Sequence, residues 1–556
     1  MTTGQPMDSI LTKVHMKNKA LALVNKAQAA IALIAIGMSS TFAVLAQDMP
    51  AAASTPSQLP TLGDGSDMAS AAERRLGDRI AREMYRDPDY IDDPVLMAYV
   101  QSIWQPLLLA AKARGDLSAE LQERFAWEFM LGRDRTVNAF ALPGGYFGIH
   151  LGLIAVVSSR DELASVLGHE MSHVMQRHIS RLLSKQSQQA PWMIGAMILG
   201  VLAASKNADA GNAMIVGGQA VSAQNQLNFS RDMEREADRV GYGVMTSAGF
   251  EGQGFVGMFD KLQQASRLND NGAYPYLRSH PLTTERIADM HARQMLLAPH
   301  PDKLASSVEP LMMAARARVL SNPGVDALRD MQLEVTNANL ATLPRARQVA
   351  ILYAGALSAN RMRDFEHGKT YLARLLSLVH ADAPALHQAR LLDAEMALTA
   401  GDIPRAAAAL KAIQAGPRHQ AASEATALRR PELFLGAQLA LQLAHGGSAP
   451  DATQVSDAAQ RLQLWVSEHP HDGPAWQLLS SAYAAQGQSL RAIRADAEAQ
   501  VAVLDYPLAL DRFKAAQELV NERRASSGAA DNIEASIIDT RRRQVELLLK
   551  EQALDR

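Results

Sequence analysis

His169-Glu170-Met171-Ser172-His173 spells H-E-x-x-H inside an apolar helical run. On a helix, two histidines four apart lie one turn apart on the same face, so both imidazoles can grip one Zn²⁺. A hydrolytic zinc site keeps one coordination position open for water. Glu170, just off that face, can take the proton of that water. Ser159-Arg160-Asp161-Glu162 upstream is a capping box that starts the helix, and Leu163, Val166 and Leu167 give it an apolar face.

Two imidazoles need a third ligand, and the charged stretch from Phe229 to Asp238 can supply it. Glu234 and Asp238 are four apart and share a helix face. Glu234 can bind the zinc while Asp238 accepts a ligand histidine's N–H and fixes its tautomer. Glu236 falls on the other side of that helix. His280, in Ser279-His280-Pro281, has three readings. It can donate a hydrogen bond to the oxyanion of a tetrahedral intermediate. It can be a fourth zinc ligand that holds the site closed until a substrate displaces it, which is the favoured reading. It can also simply cap a helix before Pro281. Two other histidines carry less. His178, five residues past His173, should face away from the ligand pair and reads as a polar residue ending the active-site helix. His150 reads as an ordinary exposed side chain.

Four blocks occur in a fixed order: Asn138 to Tyr146 (N-A-F-A-L-P-G-G-Y), H-E-M-S-H, F-S-R-D-M-E-R-E-A-D, and S-H-P-L-T-T-E-R-I-A-D from Ser279 to Asp289. In these the chain resembles the zinc metallopeptidase family of the CAAX prenyl proteases and HtpX-like proteases. It looks nearest to the family's soluble periplasmic branch with a repeat tail. The resemblance covers roughly residues 70 to 300. It implies His169, His173 and Glu234 as ligands of one zinc per chain and Glu170 as general base. It also matches Arg286 to a family position beside His280, and places Asn138 and Ala139 on an edge strand that holds substrate. It further implies misassembled outer-membrane β-barrel proteins as clients and the barrel assembly machinery as partner. A chaperone-like assembly factor with latent protease activity is the alternative.

Elements that must carry these residues are legible nearby. Phe125, Trp127, Phe129 and Leu131 alternate with less apolar neighbours, as in a half-buried strand. Asn138 to Leu142 reads as a second extended piece, Pro143-Gly144-Gly145 as a turn, and Tyr146 to Ile149 as a continuation. Ser70-Ala71-Ala72-Glu73 reads as a capping box. Asp93-Pro94 opens another helix, with an apolar stripe of Leu96, Val100, Ile103 and Leu107. The fold class expected is α+β, mostly α: a zincin-like metallopeptidase domain over 70–304, then an α-helical, tetratricopeptide-like repeat domain over 305–556. In the tail, Trp476, Leu479, Tyr483, Gly487, Ala492 and Ala499 match one repeat, and Gly401 and Ala406 mark a weaker one. Pairs near Ala350–Leu376 and Pro431–Val466 look like degenerate copies. Stacked pairs present a concave surface that usually binds protein. Glu551 to Arg556 reads as a polar, frayed end.

Composition bounds the rest. The chain has 556 residues, 48% of them hydrophobic, a formal net charge of −3 and no cysteine. That length calls for two or more domains. The charge gives no strong pull toward nucleic acid or anionic lipid, and no phosphate-binding loop appears. Disulfides, thiolate zinc sites and cysteine catalysis are excluded. Lys13, Lys17, Lys19 and Lys26 precede an apolar stretch from Ala27 to Ala46, which reads as a cleavable signal peptide over 1–46; an uncleaved anchor is the rival. A linker over 47–69 follows. Between the zinc half-sites, Trp192 to Ala204 is too short to cross a bilayer. It reads as a helical hairpin or lid, with at most peripheral membrane contact as the other reading.

Overall fold

Four short strands and a buried helix build the frame that positions the charged residues. The computed structural model describes residues 68–185, 230–267, 273–295, 307–337, 339–415, 429–445, 452–523 and 529–554. The signal segment, all but the end of the linker, and the apolar run from Trp192 to Ala204 lie outside the described residues. Among the described residues the chain is mostly helical with one small sheet. Its first helices are α1 (Ser70–Tyr85), α2 (Pro94–Arg114) and α3 (Ala119–Arg124). The strands are β1 (Tyr90–Ile91), β2 (Glu128–Gly132), β3 (Ala139–Leu142) and β4 (Tyr146–His150), in the order β1-β2-β4-β3. β2 and β4 run parallel, with Phe129 opposite Phe147. β3 is antiparallel to β4, with Ala139 opposite Ile149, and closes one edge of the sheet.

β2 is shorter than the alternation from Phe125 predicts. Trp127 sits at φ 55°, outside the β region, and its indole N–H donates to Leu121 O at 3.0 Å. The strand therefore begins only at Glu128. α2 starts where expected: the Asp93 carboxylate accepts from Leu96 N at 2.8 Å and Pro94 occupies the first turn. Leu96, Val100, Ile103 and Leu107 are fully buried. At 21 residues α2 is long and apolar enough to cross a membrane, but that stripe packs in the protein core.

The expected capping box at Ser70 is not formed. Ala69 is the N-cap and no side chain caps the helix. Ser70 Oγ instead donates to Glu120 Oε1 at 2.7 Å, and Glu73 is buried against Arg177 at 2.9 Å. Distant partners outcompete the local ones.

After β4 come α4 (Leu151–Val156), α5 (Arg160–Met175) and α6 (His178–Lys185). Ser159 Oγ caps α5 by accepting from Glu162 N at 3.1 Å. Every residue of α5 from Glu162 to Met175 is buried. The helix is enclosed by α2, by β3, and by α7 (Arg231–Ser247) and α8 (Gln253–Arg267). α9 (Tyr276–Ser279) and α10 (Thr284–Met295) follow.

In α11 (Glu309–Ser321), Met312 and Met313 are buried in the same apolar cluster as α2 and α5. Arg316 of α11, also buried, pairs with Asp93 at 2.7 Å and with Glu395 at 2.8 Å. Past α12 (Val325–Thr336), helices follow as packed pairs: α13 (Arg345–Arg361) with α14 (Phe365–Val379), α15 (Ala383–Ala400) with α16 (Ile403–Gln414), α17 (Arg430–His445) with α18 (Ala452–Glu468), and α19 (Gly473–Ala485) with α20 (Ser489–Ala502). Gly401 (φ 74°) and Gly487 (φ 72°) make the left-handed turns inside two of these pairs, a conformation that glycine adopts without a Cβ penalty. Leu479, Tyr483, Ala492 and Ala499 are buried as the repeat pattern requires. α21 (Tyr506–Arg523) and α22 (Ala529–Leu554) are the last described elements. α22 extends into the segment expected to fray, as far as Leu554; residues 555–556 lie outside the described residues.

Candidate metal centre

The site is assembled where α5 crosses α7. A Cβ built on Gly241 would lie 2.9 Å from the Gly168 carbonyl carbon, and one on Gly168 would lie 3.1 Å from Gly241 O. The two backbones touch there. This contact sets His169, next to Gly168, against Glu234 and Asp238 on α7. Gly241→Ala is expected to push the helices apart and weaken metal binding by about tenfold or more, since an ångström of displacement is costly at such a site. Zinc affinity measured by chelator competition checks this; an unchanged affinity would show that the crossing has slack.

Four ligand atoms, one each from His169, His173, Glu234 and His280, lie within 4.8 Å of one another, and all four residues are buried. His169 Nε2 and His173 Nε2 are 3.0 Å apart. Glu234 oxygens stand 3.5 Å from each of these nitrogens. His280 follows α9, with Nδ1 3.1 Å from Glu234 Oε1 and 3.3 Å from His169 Nε2. Its ring stacks on Tyr276.

Asp238 meets His169 Nδ1 at 2.9 Å, the hydrogen bond expected of it from spacing. Behind it, Arg286 of α10 donates from Nε and Nη2 to the two Asp238 oxygens at 2.6 and 2.8 Å. Arg286 Nη1 lies 2.8 Å from Glu234 Oε2 and donates to Pro281 O at 2.8 Å. One guanidinium thus ties both α7 carboxylates to the segment that carries His280.

The electrostatics fit a cation. Ionised, the buried carboxylates of Glu170, Glu234 and Asp238 carry three negative charges against the one guanidinium, Arg286, that pairs with Glu234 and Asp238, leaving two that a divalent ion balances. Burial lowers His169, but hydrogen bonds to Asp238 and Glu234 outweigh it and raise the ring to about 9. A positive charge at this point is therefore stabilised by its surroundings. Burial and the neighbouring imidazoles hold His173 well below the histidine range, as the neutral form that ligates. Burial alone would raise Glu234; facing His280 and His169 hold it well below the carboxylate range. Two imidazoles, a carboxylate and a further imidazole form a donor set suited to zinc.

Glu170 is different. Neither of its buried oxygens makes a hydrogen bond of good geometry, and His280 Nε2 is 3.5 Å from one of them. Burial raises its pKa above the usual carboxylate range, against the opposing pull of His280 and His169. A carboxylate so placed is suited to accept a proton and give it back.

Two histidines depart from expectation. His178 is fully buried and turned toward the site: its Nδ1 is 2.9 Å from His173 Nδ1. His178 would face away only on one continuous helix, but α5 ends at Met175 and Arg177 adopts φ 53°, so the chain doubles back. Nothing in Val174-Met175-Gln176-Arg177 signals that turn, because no glycine marks it. Glu236 is off the ligand cluster, as expected, but pairs with His178 at 3.1 Å and with Arg181 at 2.8 Å. His150 is buried rather than exposed, with Nδ1 2.8 Å from Thr136 Oγ1. Its position at the end of the inner strand β4 encloses it. Asn138 and Ala139 lie at the start of edge strand β3; Asn138 O accepts from His150 N at 3.0 Å.

Comparison with known proteins agrees with this geometry. Residues 98–294 match Peptidase family M48. The chain is 28% identical to the beta-barrel assembly-enhancing protease of Escherichia coli over 472 residues, 84% of this chain and 88% of that one. It is 28% identical to the beta-barrel assembly-enhancing protease of Yersinia pestis over 445 residues, 79% of this chain and 83% of that one. A mitochondrial metalloendopeptidase of Saccharomyces cerevisiae is 29% identical over 196 residues, 34% of this chain and 54% of its own length.

Proposed function

We propose that this chain, a zinc metallopeptidase carrying a domain of Peptidase family M48, is a periplasmic endopeptidase of protein quality control that degrades misfolded or misassembled outer-membrane β-barrel proteins. The observation that carries the hydrolytic part is the Glu170 carboxylate, buried without a well-formed hydrogen bond beside a cluster of three imidazoles and one carboxylate. The client class rests on the similarity to beta-barrel assembly-enhancing proteases along most of the chain.

In this reading His169, His173 and Glu234 hold the zinc. When bound, zinc supplies polarisation of the scissile carbonyl and acidification of a water. Glu170 takes a proton from the attacking water and returns it to the leaving amine. Asp238, itself held by Arg286, keeps the His169 ring turned so that Nε2 points into the cluster. Substrate adds as a strand along the β3 edge near Asn138 and Ala139, through backbone hydrogen bonds that need no particular side chains. The helical pairs after α11 form a tetratricopeptide-like arm that recruits the β-barrel assembly machinery. The segment 1–46 exports the chain. No nucleic acid is involved, and membrane contact is peripheral at most.

His280 closes the site as a fourth donor until substrate displaces it. His280→Ala is then expected to cleave unfolded substrate about tenfold faster, the gain from freeing a site that is open about a tenth of the time. Turnover slower by about 10²–10³-fold would return His280 to the oxyanion-stabilising role, and unchanged turnover would leave it as a helix cap before Pro281.

Incubation of the purified chain with an unfolded outer-membrane barrel protein, beside an unfolded soluble protein, tests the client assignment. Preferential cleavage of the barrel protein is expected; equal cleavage of both would remove the client preference. If an inactive Glu170→Gln chain still supported barrel assembly in cells, the function would move toward an assembly factor.

A further inference from the structure

We propose that His178 is a positioning residue of the metal centre: backed by Glu236 and Arg181, it holds His173 with Nε2 turned toward the zinc. The inference rests on the reading of His173 as a ligand.

The two ligand histidines are supported in different ways. His169 has a carboxylate on its far nitrogen, Asp238 at 2.9 Å. His173 has an imidazole there, His178 Nδ1 at 2.9 Å from His173 Nδ1. Two ring nitrogens at that distance must be one donor and one acceptor. A histidine that ligates through Nε2 carries its proton on Nδ1, so His173 donates and His178 accepts. Neutral His178 then carries its own proton on Nε2, which lies 3.1 Å from Glu236 Oε2. Glu236 in turn accepts from Arg181 Nη2 at 2.8 Å. Each link fixes the orientation of the one before it, so the tautomer of His173 is set from the surface inward.

The backbone is shaped to deliver this contact. Arg177 adopts the left-handed φ of 53° that separates α5 from α6. Its guanidinium is tied to buried Glu73 at 2.9 Å and to Met68 O and Ser180 Oγ. A non-glycine residue keeps such a conformation only when its surroundings enforce it. Had the helix continued, His178 would lie on the far side from His173. The turn instead places it directly behind the ligand.

The test is zinc affinity by chelator competition and the visible spectrum of the cobalt-substituted protein. His178→Phe keeps a flat ring and removes the hydrogen bond. It is expected to bind zinc 10–100-fold more weakly and to shift the cobalt bands. His178→Asn, whose amide oxygen can accept from His173, is expected to recover part of both. Zinc affinity within twofold of the wild-type chain, with an unchanged cobalt spectrum, overturns the proposal. Should His178→Phe fail to fold, Glu236→Leu decides by the same two readouts, since Glu236 is partly exposed, its replacement leaves the core intact and no oxygen remains to accept from His178. His173→Ala is the control. If it loses zinc while His178→Phe does not, only this inference fails; if it too retains zinc, the ligand assignment itself is wrong.

Discussion

Glu170→Gln is expected to reduce peptide cleavage by roughly 10²–10⁴-fold while the protein keeps its zinc. Glu170 is on the same helix turn as His169, yet its oxygens are not among the four clustered donors. The substitution keeps the shape of the side chain and removes only the ability to accept a proton. Neither Glu170 oxygen is engaged in a hydrogen bond of good geometry, so the exchange leaves in place the contacts that hold His169, His173 and Glu234. Turnover of an unfolded substrate and zinc content, measured on the same preparations, separate the two effects. Cleavage by the variant at the wild-type rate would mean that another group is the base or that a contaminant does the cutting. Loss of zinc along with activity would make Glu170 a ligand instead.

The second large effect is on stability. Arg286→Ala is expected to destabilise the protein by about 3–5 kcal/mol, the usual result of stranding a buried charge by removing its partner. Two carboxylates are stranded here, Asp238 and Glu234, each paired with the same guanidinium. Zinc supplies part of the missing positive charge, so the loss should be greater in chelator than in zinc buffer. Denaturant unfolding under both conditions measures it. Asp238→Asn combined with Arg286→Ala should cost less than the two single changes together, because the pair share one network. A loss below about 1 kcal/mol in chelator would mean that solvent reaches these carboxylates and that the guanidinium does not hold the site together.

What could be read from residues alone follows from which contacts are local. His169 and His173 belong to one uninterrupted helix with a serine cap, so their spacing translates directly into a shared face. Glu234 and Asp238 obey the same rule on α7. His178 escaped because a single left-handed arginine reverses the direction of the chain, and the sequence does not mark it. His150 escaped because burial at a strand end depends on Thr136 and on the neighbouring strands, not on its immediate neighbours. Gly168 and Gly241 are each unremarkable alone; their meaning comes from meeting each other across two helices. The tail's helical pairs follow from periodicity, but its attachment does not. Arg316 reaches back to Asp93 and Arg430 to Asp92, across more than two hundred residues in each case.

The location of the zinc is the most direct test of this account. Anomalous diffraction at the zinc edge from crystals of the zinc-loaded protein should show one strong peak between His169 Nε2, His173 Nε2 and the Glu234 carboxylate, about 2.0–2.2 Å from each ligand atom. A peak coordinated by other residues, or none at this cluster in protein that cleaves its substrate, would contradict it.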